Sequence, residues 1–296
     1  MKRAYLRYYE HYSPVANLHF LWNAWRTRSL AARLALLNRQ RDYRRLAGNP
    51  RLLALHHALN RHLLASAQEW DSYDFAEGYF YQGLRRIGVT GLRDTEARIE
   101  SMSLRDRIAG CSVLEIGCNC GFLSMAVADV VGHVVGFDVN PHVIRVARRV
   151  ADYLGYTNTS FHCTPFEEFR PAERFDVVLS LAAHATYDGN TRQSNEAYLA
   201  RCRQLLEPGG VLLFESHPPG NEDTEALAAV CSIIDRLFDI REQRVLEHGT
   251  YLDRGRTFIA AQCPVSSGDL GHRARGARWS CGTGSVTGSP SPATTC

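Results

Sequence analysis

Short apolar runs alternate with amphipathic segments across residues 76–263. Runs of about four to eight apolar residues bounded by turn residues are typical of strands that are covered on both faces. Segments with apolar residues three and four positions apart are typical of the covering helices. The pattern predicts strands at 112–116, 133–138, 159–163, 175–181, 211–216, 238–245 and 257–262, and helices at 121–130, 141–154, 193–205 and 223–235. This order indicates an α/β fold on a mostly parallel sheet.

The two ends of the chain lack this alternation. Residues 1–75 are rich in arginine and leucine, and one apolar helix stripe is formed there by Leu52, Leu55, Leu59 and Leu63. Residues 264–296 are rich in Gly, Ser, Thr and Pro without apolar periodicity, which predicts a disordered tail. The sequence therefore predicts an N-terminal helical extension at 1–75, an α/β domain at 76–263 and a tail at 264–296.

Hydropathy and cysteine usage bear on localisation. No run of about 18 uninterrupted apolar residues occurs, so the sequence predicts no membrane span. The sequence shows no apolar segment followed by a small-residue cleavage site, so it predicts no secretory signal. The nine cysteines include four in or beside predicted core strands: Cys111, Cys118, Cys120 and Cys163. This usage favours a reducing cytoplasm over a disulfide scaffold.

Charge is distributed unevenly along the chain. Residues 1–71 carry 12 Lys/Arg and 4 Asp/Glu, a balance of +8, whereas the whole chain has a net charge of +3. Two interpretations are open for this segment. It is either a solvated helical face or a surface that meets the phosphates of nucleic acid or lipid.

The stretch VLEIGCNCG, residues 113–121, follows the first predicted strand into the next helix. Its spacing, Glu-x-Gly-x-x-x-Gly, lacks the middle glycine of the Gly-x-Gly-x-x-Gly fingerprint that binds pyrophosphate. A carboxylate at Glu115 would repel pyrophosphate and attract a cation. Asp138 ends the second predicted strand, where a carboxylate can accept both ribose hydroxyls. The residues therefore predict a ligand with a ribose and a positive group, and S-adenosylmethionine has both.

Four motifs in order carry a resemblance: VLEIGCNCG, VVGFDVN, FDVVLSL and LLEPGGVLLFES. Together they resemble the class I S-adenosylmethionine-dependent methyltransferases over roughly residues 112–262. The resemblance implies a Rossmann-like, seven-stranded, mostly parallel sheet whose last hairpin supplies the antiparallel strand. It also implies S-adenosyl-L-methionine as the cofactor.

The resemblance carries expectations for the cofactor site. Glu115, Gly117 and Asn119 are expected around the methionine part of the cofactor, and Gly121 lets the following helix begin close to the strand. The upstream stretch GVTGLRDTEARIE is similar to the tRNA wobble-uridine carboxymethyl-transferring enzymes through Thr95, Glu96 and Arg98. Arg98 could pair with the cofactor carboxylate. The remaining expected cofactor contacts are Asp138 at the ribose, Val139 and Thr164 to Phe166 at the adenine, and Ser180 and Leu181 facing the methyl group.

Candidate catalytic residues follow the fourth and fifth strands. His184 and His217 fall where substrate meets cofactor in this class, and a histidine there can take a proton from a nucleophile. Tyr187 is a third candidate. For the histidines, the alternative is a structural role in a loop. Cys118 and Cys120 are too closely spaced for a usual zinc site, so small side chains in a tight loop are expected and no metal is predicted.

These observations predict a methyltransferase that acts on a small molecule, a metabolite, natural product or sugar, by O- or N-methylation. The N-terminal helices are expected to cover the site. One alternative is an RNA-modifying enzyme that transfers a methyl or carboxymethyl group to tRNA, helped by the basic segment. Another is a non-catalytic binding subunit with the same fold.

Overall fold

The computed structural model describes residues 14–70, 78–184, 191–219, 223–247 and 254–265. Its centre is a seven-stranded sheet in the order β3-β2-β1-β4-β5-β7-β6. The strands are β1 Ser112–Ile116, β2 His133–Asp138, β3 Thr159–Cys163, β4 Phe175–Leu181, β5 Leu206–Glu215, β6 Asp239–Val245 and β7 Thr257–Gln262. The first five strands are parallel, and β7 runs antiparallel to both β5 and β6. The predicted α/β fold is confirmed.

The helices of the described residues fall into two groups. Those of the sheet domain and the segment before it are α4 Thr95–Ser101, α5 Leu104–Ile108, α6 Phe122–Val127, α7 Pro141–Leu154, α8 Asn195–Leu205 and α9 Thr224–Leu237. The extension contains α1 Pro14–Thr27, α2 Leu30–Leu46 and α3 Pro50–Glu69. Helix α7 begins as expected, with Asn140 accepting a hydrogen bond from the backbone of His142 at 2.9 Å and Pro141 in the first turn.

Two predicted boundaries differ from the structure by three residues or more. Strand β5 begins at Leu206, five residues before the predicted start, and its pairing with β4 shifts register between Phe175 and Val177. Pro208, Gly209 and Gly210, which follow helix α8 in the sequence, therefore lie inside an irregular strand. Helix α6 is shorter than predicted because it ends at Val127, after which the chain turns toward β2.

Alternating residues of the inner strands β2, β1, β4, β5 and β7 face two separate cores. Val113 of β1 packs on one face of the sheet, and its neighbour Leu114 packs on the other. Leu213 and Leu212 of β5 divide in the same way. This period of two, with apolar residues on both faces, is the physical reason that these strands are continuous apolar runs in the sequence.

The helical extension packs on the sheet domain near the end of β2. Leu55 and Leu59 of the predicted stripe are buried, and α3 packs against α7. At the end of α3, the Ser66 hydroxyl accepts a hydrogen bond from the side-chain amide of Asn140 at 2.9 Å. The buried hydroxyl of Tyr79 donates to Asp42 of α2. The extension is thus joined to the domain by both apolar and polar contacts.

Across the described residues, no helix is long and apolar enough to cross a membrane. The predicted tail at 264–296 lies outside the described residues, apart from its first two positions.

Candidate active site

The loop between β1 and α6 turns sharply at the carboxyl edge of the sheet. Gly117, Asn119 and Gly121 all have left-handed backbone conformations, with φ of 65°, 52° and 66°. A β-carbon at Gly121 would come within 2.5 Å of the ring of Phe161 in β3. Gly121 is therefore required both for its φ and for the close approach of helix to strand, as the sequence predicted.

Asp138 organises this loop from the end of β2. One carboxylate oxygen accepts a hydrogen bond from the backbone N–H of Asn119 at 3.0 Å, and the other accepts from that of Asn140 at 2.9 Å. Asp138 is buried, and Asn140, not Asp138, caps helix α7. A carboxylate oxygen can accept more than one hydrogen bond. The geometry therefore suits Asp138 for holding the loop and accepting hydroxyl groups of a ligand together.

Glu115 is the residue before the last of β1, in the strand that pairs with the strand of Asp138. It accepts hydrogen bonds from the hydroxyl and the backbone N–H of Ser124, the latter at 3.2 Å. Burial raises the pKa of Glu115 to about 7, against the lowering effects of Ser124 and Arg98. A buried carboxylate with a raised pKa gains from a nearby cation, which would restore its charged form.

Of the residues predicted to contact the adenine, only some are accessible at the end of β3. Thr164 is half-buried, and its N–H donates to the Asp138 carbonyl at 3.0 Å, which places it beside the half-buried Val139. Phe166 is completely buried and packs on the rings of Phe137 and Tyr198, with centroid distances of 5.7 and 4.9 Å. Phe166 therefore supports this edge from within the core.

The predicted methyl-transfer side lies at the ends of β4 and β5. Ser180 is buried, and its hydroxyl is 2.9 Å from that of the buried Tyr198, so its side chain faces the core, whereas Leu181 is half-buried. The ring of His184 packs 5.0 Å from that of His217. His184 is buried and His217 is half-buried. Tyr187 lies outside the described residues.

A buried group of charges, which the sequence pattern did not indicate, connects the end of β5 to the segment before β1. Glu215, the last residue of β5, pairs with Arg93 at 2.7 Å and with Arg98 of α4. Arg256 lies 3.8 Å from the same carboxylate, and all four side chains are at most 3% exposed. The arginines hold the pKa of Glu215 at about 2 against the opposing effect of burial. The available signal was a glutamate at the end of the apolar run VLLFES.

Arg98 thus has a protein partner in addition to the cofactor role expected of it. Its guanidinium binds Glu215, and its charge also lowers the pKa of Glu115. The buried Nε of Arg98 has no hydrogen-bond partner among the described residues. A buried donor of this kind fits an anionic group of a bound ligand.

The loop cysteines have packing contacts. Cys118 and Cys120 are buried, and burial raises the pKa of both thiols. Gly136 of β2 leaves room for Cys118, since a β-carbon there would come within 2.9 Å of the Cys118 β-carbon. Within the described part of the chain, no three His, Cys, Asp or Glu side chains are grouped as metal ligands.

Comparisons with known proteins fit this arrangement. Residues 108–248 match a family described as a methyltransferase domain. A ubiquinone biosynthesis O-methyltransferase of Bradyrhizobium sp. (strain ORS 278) is 34% identical over 134 residues, which cover 44% of this chain and 50% of that protein. A protein of the same name from Cereibacter sphaeroides (strain ATCC 17025 / ATH 2.4.3) is 38% identical over 106 residues, 35% of this chain and 40% of that one.

The match to these curated relatives spans about half of their length or less. Among solved structures, the N-methyltransferase NodS of Bradyrhizobium japonicum WM9, in complex with S-adenosyl-L-homocysteine, aligns with a TM-score of 0.48 at 18% identity. That alignment covers 71% of this chain and 98% of NodS.

Proposed function

Residues 108–248 belong to the class I S-adenosylmethionine-dependent methyltransferases, and from this premise we propose that the protein methylates an oxygen or nitrogen atom of a small molecule. The observation that carries the proposal is the pair of buried carboxylates on adjacent strands, Glu115 one residue before the end of β1 and Asp138 at the end of β2. A loop with three left-handed residues lies between them in the chain. This edge of an open α/β sheet is where such folds bind ligands.

The residues present fit the cofactor. In our proposal Asp138 accepts the ribose hydroxyls, and Val139 and Thr164 line the adenine edge. Glu115, Gly117 and Asn119 surround the cationic methionine part. The carboxylate of that part accepts a hydrogen bond from the buried Nε–H of Arg98. Gly121 and Phe166 shape the pocket by packing, and Ser180 and Leu181 border the methyl group through the end of β4.

When bound, the cofactor supplies a methyl group on a sulfonium, which is already activated for displacement. The protein therefore acts by aligning the nucleophile and excluding water, and alignment of this kind can lower a barrier by about 7–11 kcal/mol. His217 is the better placed of the two histidines for accepting the nucleophile's proton, because it is half-buried and His184 is buried. In this proposal His184 positions His217 through their ring contact.

The curated relatives are named as O-methyltransferases of ubiquinone biosynthesis, which favours an oxygen nucleophile on a small molecule here too. We further propose a cytoplasmic location, because the seven described cysteines are all free thiols. An RNA substrate is the second candidate, on the basis of the basic extension. Turnover in a cell extract that is lost on RNase treatment would favour RNA.

Calorimetric titration of S-adenosylmethionine into the purified protein tests the cofactor site. We expect saturable binding to the wild type that is lost in Asp138→Ala. Asp152→Ala, which changes an exposed aspartate of α7, is the matched control and should bind as the wild type does. Absence of binding to the wild type would overturn the proposed activity and leave a non-catalytic subunit with this fold.

A further inference from the structure

The first two helices expose an unusual amount of large apolar surface. Trp22 and Trp25 are 58% and 69% exposed, and their rings lie 5.1 Å apart on α1. The other exposed large apolar side chains among the described residues of the two helices are Leu18, Leu21, Leu30, Leu37 and Tyr43. Scattered exposed leucines are common on proteins, but a concentration of them with two tryptophans on one helix pair marks an interaction surface.

An open groove runs between the two helices. It has a volume of about 520 Å³, and Leu21 and Trp25 of α1 line it together with Leu36 and Leu37 of α2. Arg28 and Arg33 lie at the same groove. An apolar floor with arginines beside it can accept hydrocarbon while the guanidinium groups reach anionic groups.

The charge of the same two helices is strongly positive. Residues 14–46 contain seven arginines and a single acidic residue, Asp42, whose side chain is buried. Arg28, Arg33 and Arg41 are exposed. The surface made by α1 and α2, which we call the Trp-Arg face, therefore combines an apolar stripe with a basic border.

We propose that the Trp-Arg face binds the surface of a membrane that contains anionic phospholipid. Amphipathic helices with tryptophan and leucine on one side and arginine on the other lie in the interface plane, with the apolar side chains between the headgroups. Tryptophan favours that depth, and each nearby basic residue gains from the negative surface potential. The protein lies on the bilayer in this arrangement, consistent with the absence of a spanning helix among the described residues.

Two other occupants fit the face less well. A second copy would bring two segments of the same positive charge together across a symmetric interface, which opposes association. A nucleic acid would match the arginines, because phosphates bind basic groups and bases stack on aromatic rings. It would not provide apolar contacts for the four exposed leucines. Lipid matches both components of the face.

Co-sedimentation of the full chain with vesicles tests the proposal. The two vesicle types are phosphatidylcholine alone and phosphatidylcholine with phosphatidylglycerol in a ratio of about 7:3, since the electrostatic attraction depends on anionic lipid. We expect binding to the anionic vesicles that weakens strongly with added salt, and little binding to the neutral ones. The double variant Trp22→Ser/Trp25→Ser and the double variant Arg28→Ala/Arg33→Ala should each lower the partition coefficient by about tenfold or more.

Matched controls change the same properties elsewhere. Val265→Ser removes an apolar side chain that is 50% exposed, and Arg236→Ala/Arg241→Ala removes two arginines that are 60% and 49% exposed. These controls should bind vesicles as the wild type does. Circular dichroism and the melting temperature establish that each variant is folded, so that a loss of binding reports the face itself.

Three results would overturn the proposal. The first is no binding of the wild type to anionic vesicles. The second is a dimer in light scattering that Trp22→Ser/Trp25→Ser converts to a monomer, without any vesicle binding, which would assign the face to a second copy. The third is binding to RNA that the arginine variant loses, again without vesicle binding, which would assign it to nucleic acid.

Discussion

Arg98 of α4 and Glu215 at the end of β5 lie 117 residues apart in the sequence and form an ion pair in the interior of the protein. The pair holds the segment before the first strand against the middle of the sheet. Because Glu215 also binds Arg93, one carboxylate fixes two arginines that come from different parts of that segment. The contribution of this buried carboxylate to the free energy of unfolding can therefore be measured.

Glu215→Gln should destabilise the protein strongly. The change leaves the buried arginines without their carboxylate, and loss of one partner of a buried pair typically costs about 3–5 kcal/mol. Urea unfolding measures the effect. Glu196→Gln is the control, because it breaks an exposed pair with Arg236 and should cost no more than about 1 kcal/mol. Equal effects of the two changes would contradict a structural role for the buried pair.

Glu115→Gln should change the pH dependence of stability. The pKa of Glu115 is about 7 in the folded protein, above its usual 4.5, so the folded state loses stability from this group as the pH rises from about 4.5 to 7. The glutamine variant lacks this loss. Its stability relative to the wild type should therefore increase by about 3 kcal/mol between pH 4 and pH 8.

Chemical unfolding of both proteins across that pH range, without cofactor, measures the difference. Glu225→Gln, in the exposed first turn of α9, serves as the control. A stability difference between wild type and Glu115→Gln that stays constant from pH 4 to pH 8 would show that Glu115 has an ordinary pKa.

Gly121→Ala should destabilise the protein more than Gly155→Ala does. Both glycines have left-handed backbone conformations, with φ of 66° and 72°, so both changes carry the cost of placing alanine there. Only at Gly121 would the new β-carbon also meet a ring, that of Phe161 at 2.5 Å, whereas the space at Gly155 is open. We expect about 1 kcal/mol at Gly155, and about 1–3 kcal/mol more at Gly121.

Thermal or urea unfolding compares the two variants directly. Because the added steric cost falls on the loop beside Asp138, cofactor affinity should also decrease in Gly121→Ala and stay unchanged in Gly155→Ala. Similar stability of the two variants would mean that the loop and Phe161 separate easily.

His217→Asn should lower kcat by about 10²–10⁴-fold for a hydroxyl substrate, because it removes the proposed proton acceptor. The same change should leave the affinity for S-adenosylmethionine unchanged. His184→Asn should have a smaller effect on kcat, since His184 is buried beneath His217 in our proposal. Steady-state kinetics measures the effect on kcat, and calorimetry measures the affinity for the cofactor. A larger loss of kcat in His184→Asn would make His184 the proton acceptor and His217 the positioning residue.

Local pattern and local chemistry were sufficient to predict much of this protein. Apolar runs predicted all seven strands, and apolar periodicity predicted helix α7 with the bounds that it has in the structure. These features depend on residues close together in the chain, so a sequence displays them. The position of Gly121 was also predictable, but the ring it makes room for, Phe161, was not.

Features that depend on distant parts of the chain were not visible in the sequence. The glutamate in VLLFES offered no indication of which arginines it binds, since Arg93 and Arg98 are more than a hundred residues away. The inward direction of Ser180 follows from its contact with Tyr198 of α8, which a strand pattern does not specify. Burial of Phe166 likewise depends on Phe137 and Tyr198, which come from two other elements.

Asn140 connects three parts of the molecule through different atoms. Its backbone N–H binds Asp138, its side-chain oxygen caps α7, and its side-chain amide binds Ser66 of the extension. These hydrogen bonds join the end of β2 to α3, so we expect ligand binding at Asp138 and the packing of α3 to affect each other reciprocally. Limited proteolysis between the extension and the sheet domain should accordingly slow when the proposed cofactor is added. The rate of this proteolysis would then report cofactor binding without any assay of turnover.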